Sequence, residues 1–390
     1  MALGIHAAGF QHVALVEWDK FTADTLRDNS ERVLDMDPAL VLNVDARSIN
    51  YEQFAGKIEL LSGGPPCQPF STGGRNKSYA DLRNMFPVFL DAVASVRPKA
   101  ILTENVRGLL RRNFSDYYDY ILKRLQFPLQ RAAENEDWQA HYERLLKTAE
   151  TEFADEEQYL VTYQLLDTAD YGVPQRRERV FICAFRKDLG IEPFRMKPTH
   201  SKDALLIDQW ITGDYWERHG ISSYDYLGPR DKKVLETIRN RFLESEERSP
   251  WRTVRDAVGD LPEPVLRGRK EKIPNHIQHP GARIYEGHTG SFFDYPAKAL
   301  KAGTHGTPGG ENILRVSNDG EVVRYFTTRE AAASTTCGTP SPRSCWSKAR
   351  TRRWCRRSSA TLRLRTPWTP TPTSRPTCSA AFARLGERLK

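Results

Sequence analysis

Short apolar runs alternate with helical stretches along the first half of this 390-residue chain, and that alternation limits its fold more than any other feature. Val13-Ala-Leu-Val16, the run from Ile58 to Ser62, and Ala100-Ile-Leu-Thr103 are each too short for a helix and read as buried strands. A helical stretch from about Phe21 to Arg27 follows the first run. After the second, Phe86, Phe89, Leu90 and Val93 recur at i, i+3, i+4 and i+7, the spacing of an amphipathic helix. Residues 114–157 are charged and helical in pattern, an inserted pair of helices. Tyr159–Leu166 and Val180–Phe185 close the series as β-rich runs. Strands alternating with helices predict an α/β fold with a doubly wound, mostly parallel sheet.

The polar residues that follow these strands give the pattern its chemistry. Glu17 comes directly after the first strand, Pro66-Cys67 after the second, and Glu104-Asn105 after the third. In open α/β sheets ligands bind beyond the carboxyl ends of the strands. An acid, a thiol and a second acid therefore converge on one crevice. Each has an ordinary reading when taken singly. A lone intracellular cysteine is usually a small buried hydrophobe, an acid after a strand often caps a helix, and Gln175-Arg-Arg-Glu-Arg179 could be only a charged turn.

Composition narrows the classes further. No stretch approaches the roughly 18 uninterrupted apolar residues of a membrane span. The N-terminus has no basic region leading into an apolar run, so no secretion signal is expected. Six cysteines in this length do not make a disulfide scaffold, and a cytoplasmic protein follows. The net charge of +8 belongs to the tail: residues 332–390 hold thirteen Lys and Arg against one acid, Glu387, and the rest of the chain is net acidic. The overall basicity is therefore not a DNA-binding face of the whole molecule. Four of the six cysteines and three of the eight tryptophans also lie in that tail, which has no Val, Ile, Asp, Asn, Gln, Tyr, His or Met. The tail cysteines are unevenly spaced and no metal site is expected there; His276-x-x-His279 reads as a loop feature.

The joint pattern is more specific than its parts. Gly64-Pro-Pro-Cys67-Gln-Pro-Phe-Ser71, then Asp81-Leu-Arg83-Asn84, then Glu104-Asn105-Val106, then Gln175-Arg176-Arg177-Glu178-Arg179 resembles, in its motif order, the cytosine-5 DNA methyltransferase family. Glu17-Trp18-Asp19 matches the family's second cofactor motif, and Arg324-Tyr-Phe-Thr327-Thr-Arg329-Glu330 its ninth. The resemblance covers roughly residues 4–331.

The resemblance implies an enzyme that moves a methyl group from S-adenosyl-L-methionine to carbon 5 of a cytosine extruded from a specific duplex sequence. It places the nucleophile at Cys67, with Glu104, Gln175, Arg177 and Arg179 around the base. It assigns Glu17, Trp18, Asp45, Ala46 and Pro66 to the cofactor, and Arg75, Lys77, Arg324 and Thr327 to DNA. It implies a catalytic domain over residues 1–188 and a target-recognition domain over 189–316. Residues 317–332 form the return segment. Double-stranded DNA is the partner, with no membrane. A cognate restriction endonuclease would act on the same sites without forming a stable complex, and the chain would be a monomer. The aromatics of the recognition interval (Trp210, Tyr215, Trp216, Tyr224, Tyr226, Trp251) are expected mostly in its core, and the basic run Arg267-Gly-Arg269-Lys270 toward phosphates.

Two departures bear on activity. The family's opening glycine loop and its closing Gly-Asn-Ala-Val-Pro motif do not occur in this sequence. Residues 333–390 are expected to be a frame-shifted, largely disordered tail. A catalytically inactive DNA-binding remnant is the alternative to an active enzyme, and a methyltransferase for something other than DNA is a third reading; the 130-residue reader argues against a small-molecule substrate.

Overall fold

The computed structural model describes residues 1–66, 84–192, 194–221, 232–233, 236–237, 248–266, 268–269, 273–286, 289–300, 312–316, 322–335 and 360–362. The chain divides into two compact units. One comprises Met1–Leu165, Arg179–Met196 and Arg356–Lys390, and the other Leu166–Glu178 and Lys197–Cys355.

The first unit is mixed α/β. Its strands are β1 (Ala14–Val16), β2 (Val41–Leu42), β3 (Leu60–Gly63), β4 (Ala100–Val106), β5 (Tyr159–Asp167), β6 (Glu178–Arg186) and β7 (Ala360–Leu362), in the order β2-β1-β7-β3-β4-β6-β5. The β1/β2 and β3/β4 pairs are parallel, and β4/β6 is antiparallel. The apolar runs become strands because both of their faces are covered. Leu61, Ile101, Val180 and Ile182 belong to one buried cluster with Phe86, Phe89 and Ile121, while their neighbours Leu60, Leu102 and Phe185 belong to another with Ile5 and Phe10. Period-2 alternation into two apolar layers explains why these strands read as continuous hydrophobic runs.

Local signals set the helix ends. Helix α2 (Lys20–Leu34; α1 is Ala2–Ala7) begins at Asp19, whose side chain accepts from the Thr22 amide at 3.0 Å. It runs past Arg27 until Asp35 turns left-handed at φ 47°. Helix α3 (Phe86–Val96) stops at Arg97, also left-handed, just before Pro98. Helices α4 (Ser115–Gln126) and α5 (Trp138–Leu146) lie in the charged interval that the sequence read as helical.

Among the described tail residues is an element that the composition did not announce. Ala360–Leu362 lies between β1 and β3, antiparallel to both, pairing three residues with β1 and Thr361 with Ser62 of β3. Two fully buried strands facing one another need a strand between them to occupy their backbone groups. That demand explains how an unremarkable Ala-Thr-Leu becomes β7. Residues 336–359 and 363–390 of the tail lie outside the described residues.

The second unit has its own core. Ala169, Leu205, Tyr215, Trp216 and Trp251 are buried together, with Trp210 packed against them. These tryptophans and Tyr215 are core, as the sequence suggested; Tyr224, Tyr226, Arg267 and Lys270 lie outside the described residues. The Tyr215 hydroxyl donates to Asp294 at 2.8 Å, and burial, with Asp294 beside it, pushes its pKa up. A three-stranded sheet of Ser291–Phe292, Ile313–Arg315 and Val323–Tyr325 leads into the helix Thr328–Ala333.

Candidate active site

The carboxyl ends of β1 and β2 lie side by side, because Val16 pairs with Leu42 and the Glu17 amide donates to the Leu42 carbonyl at 3.0 Å. Glu17 is 2 % exposed, and its Oε1 accepts from the Asp19 amide at 3.0 Å. Trp18, next to it, is 55 % exposed. Asn43 Nδ2 donates to the carbonyls of both Glu17 and Trp18, at 2.9 and 3.0 Å, and fixes this corner. Asp45 follows at the end of β2. Its carboxylate caps the short turn Ala46–Ser48, accepts from the Arg47 amide at 2.9 Å and pairs with the Arg47 guanidinium at 3.0 Å. A buried carboxylate beside an exposed indole suits a ribose with its adenine, and Asp45 would reach an adenine amino group only by sharing its carboxylate with Arg47.

A second cluster forms where β3 and β4 end. Glu104 Oε1 sits 2.6 Å from Arg179 Nε, brought across by the antiparallel register that sets Val106 opposite Arg179. The amino group of Met1 also lies within electrostatic reach of Glu104; burial lowers its pKa, and Glu104 opposes the shift. Cys67, Arg75 and Lys77 lie outside the described residues, but the stems of the segment that carries them are fixed. The Met85 amide donates to the Pro66 carbonyl at 3.3 Å, and Asn105 Nδ2 donates to the Pro65 carbonyl at 3.0 Å. Asn84 donates to the Tyr117 hydroxyl at 2.6 Å, and its Oδ1 accepts from the Phe86 amide at 3.2 Å. Tyr117 is a contributor that the sequence did not suggest, since nothing links it to Asn84 across 33 residues. Among the described residues the free cysteine is Cys183, whose thiol burial pushes up to about 11, far from a nucleophile's range.

Gln175 and Arg177 belong to the second unit. Gln175 is buried, and its carbonyl accepts from the Thr168 hydroxyl at 2.6 Å. The Arg177 amide donates to Asp167 Oδ1 at 3.0 Å, and its carbonyl accepts from the Thr168 amide at 3.2 Å.

Two of the residues assigned to DNA, Arg324 and Thr327, are buried and paired within the second unit. Arg324 does not face solvent. It forms a two-toothed pair with Glu330 at 2.6 and 2.7 Å, with side chains 8 % and 2 % exposed. Thr327 is buried as the N-cap of the helix Thr328–Ala333, in a capping box with Glu330. The signal was present in Thr327-x-x-Glu330, the spacing of that box. His276 adds to the network through Thr327 Oγ1 at 3.0 Å and the Pro262 carbonyl at 2.6 Å. Both ring nitrogens of His276 are thus engaged. Among the described residues no His, Cys, Asp and Glu group could hold a metal.

The chain matches the C-5 cytosine-specific DNA methylase family over residues 1–127 and 136–341. It belongs to that family. It is similar to the type II methyltransferase M.AquIA of Picosynechococcus sp., 29 % identical over 293 residues, which cover 71 % of this chain and 94 % of the relative. It is 35 % identical to the type II methyltransferase M.NgoMIV of Neisseria gonorrhoeae over 187 residues, 48 % of each chain. With M.NaeI of Lentzea aerocolonigenes it shares 30 % identity over 225 residues, 55 % of this chain and 46 % of the relative. The chain thus spans about half the length of two of these relatives and nearly all of the third. The crystal structure of the S. pombe Dnmt2 methyltransferase covers 89 % of this chain and 86 % of its own at 16 % identity and a TM-score of 0.42, too weak a likeness to carry an argument. Enzymes of this family depend on S-adenosyl-L-methionine.

Proposed function

We propose that this chain is a DNA (cytosine-5-)-methyltransferase of a restriction-modification system, acting on a cytosine flipped out of a specific duplex sequence. In this reading the sheet of the first unit is doubly wound and residues 189–316 read the target. The observation that carries it is the Glu104–Arg179 pair at the end of β4, beside the closed stems of the segment holding Cys67. Extrusion of the base costs a few kcal/mol of unstacking.

Cytosine is electron-poor at carbon 6 and weakly nucleophilic at carbon 5. Cys67, as thiolate, adds to carbon 6 and leaves carbon 5 with enamine character. Glu104 hydrogen-bonds or protonates ring nitrogen 3 and draws electrons away, which makes that addition feasible. Arg179 holds Glu104 in place, and with Arg177 it stabilises charge on the base carbonyl. S-adenosyl-L-methionine supplies an electrophilic methyl group when bound. Glu17 would hold the ribose hydroxyls, Trp18 would pack on the adenine, Asp45 and Ala46 would meet its edge, and Pro66 would complete the cofactor site. After transfer, carbon 5 loses its proton, the carbon–sulfur bond to Cys67 breaks, and 5-methylcytosine leaves.

Expression in a host without cytosine-5 methylation, followed by bisulfite sequencing of its DNA, tests the reading. Protected cytosines confined to one short sequence are expected. A host genome that stays fully convertible, from a chain that still binds duplex DNA, would instead identify an inactive remnant.

A further inference from the structure

Arg176 stands between two residues with roles and has none in the mechanism above. Its surroundings in the second unit are nevertheless built with care. Its Nε donates to Asp167 Oδ2 at 2.8 Å, and its guanidinium carbon lies 5.1 Å from the centre of the Trp251 ring. The Trp251 indole N–H in turn donates to Asp170 at 2.9 Å, which fixes the plane of the ring. The Arg176 amide donates to the Ala297 carbonyl at 2.7 Å. Asp167 is itself immobilised, accepting through Oδ1 from the amides of Arg177 and Ala169 at 3.0 and 3.2 Å. Asp167 and Trp251 are 9 % and 7 % exposed, whereas Arg176 is 53 % exposed.

A guanidinium has a side edge, containing Nε, and an end edge formed by its two terminal nitrogens. Here the side edge is tied to a buried carboxylate and one face rests on a buried indole. Among the described residues no hydrogen bond occupies the terminal nitrogens, and Asp170 is a second carboxylate within electrostatic reach of the guanidinium. An ordinary surface arginine must lose rotamer freedom to hold a partner; this one has lost it already. A planar fork presented outward matches the two free oxygens of a phosphodiester.

We infer that Arg176 is a backbone-phosphate contact for duplex DNA, aimed by Asp167 and Trp251. The inference rests on the reading of duplex DNA as the substrate. Because a phosphate contact carries no sequence information, it needs neither the target sequence nor turnover to be observed.

The experiment is equilibrium binding of the full chain to a short labelled duplex of arbitrary sequence, over a series of salt concentrations. Losing one phosphate contact should lower the slope of log K against log[salt] by about 0.9. Arg176→Gln should show that change with an affinity loss of about tenfold at low salt, while Lys57→Gln, the same change of charge in the other unit, leaves the slope alone. Arg176→Lys should recover the slope but not the full affinity. Asp167→Asn separates aim from charge. It removes a negative charge, so charge alone would tighten binding, whereas loss of aim weakens it. Arg176→Gln indistinguishable from wild type would overturn the inference, as would a folded Asp167→Asn that binds more tightly than wild type. A wild-type chain with no affinity for duplex DNA at low salt removes the substrate reading and the contact together. Wild-type binding that is indifferent to Arg176 removes the contact alone.

Discussion

Two arginine–carboxylate pairs occupy motifs of the same family, and they differ in what surrounds them. Arg179 and Glu104 meet at the end of the sheet in the first unit, with side chains 18 % and 30 % exposed. Arg324 and Glu330 meet in the second unit almost wholly out of water, with Glu330 also accepting from the Thr327 amide at 2.9 Å. A partly exposed pair is held together weakly, by about 0–1 kcal/mol, so an incoming group can compete for either member. A buried pair is committed, because removing either member strands a charge in the interior. A motif supplies the residue type, and burial then decides whether that residue serves chemistry or the fold.

Substitutions in the two pairs should therefore move different observables. The largest effect is expected from Glu104→Gln, which keeps the shape and removes the acid. Turnover should fall by about 10²–10⁴-fold, with unfolding free energy changed by less than about 1 kcal/mol. Retained turnover in an unstable variant would reverse the comparison. Arg324→Met should do the opposite. Urea denaturation should register a loss of about 3–5 kcal/mol, and DNA affinity per folded molecule should stay the same. A stable Arg324→Met chain with weakened DNA binding would restore Arg324 as a DNA contact.

The helical insertion offers a third, titratable, buried site. His141 is buried with Nδ1 3.0 Å from the Tyr120 hydroxyl, and burial, assisted by Arg124 and Arg144, holds its pKa down at about 4 against an ordinary 6.5. Between those values the unfolded chain binds a proton that the folded chain does not, so stability should fall as pH drops from 6.5 towards 4 and level off below. His141→Gln should flatten that part of the stability–pH curve, and an unchanged slope would place its origin elsewhere. The smallest effect is expected from Thr327→Ala. It removes a helix cap for about 1–2 kcal/mol, read as a lower thermal midpoint with no change in the salt dependence of DNA binding.

Much of this arrangement was legible in the sequence, and the exceptions have physical causes. Strands β1, β3, β4 and β6 announced themselves because both faces are apolar. Helix α2 was read too short since most of its second half is polar and only Ser30 and Leu34 there are buried. Glu17 and Glu104 stand at the strand ends where the sequence put them, and Arg179, named through its motif, meets Glu104 there. Arg324 and Thr327 came from a motif match, and the capping-box spacing of Thr327 to Glu330 was the local signal that they are buried. The Asn84–Tyr117 bond and the stacking of Arg176 on Trp251 join residues far apart in the chain, and no local pattern encodes them. Strand β7 was illegible for another reason: its three residues are placed by the backbone demands of β1 and β3 rather than by any pattern of their own.

The central claim is that Cys67 bonds covalently to cytosine, and duplex DNA made with 5-fluorocytosine throughout tests it most directly. Fluorine cannot leave carbon 5 as a proton does, so the reaction should stop at the adduct. With S-adenosyl-L-methionine present, the full chain should give a protein–DNA species that survives denaturation, with the bond mapped to the peptide containing Cys67, and Cys67→Ser should give none. A chain that methylates ordinary DNA yet forms no adduct, or forms one equally well as Cys67→Ser, would contradict the account.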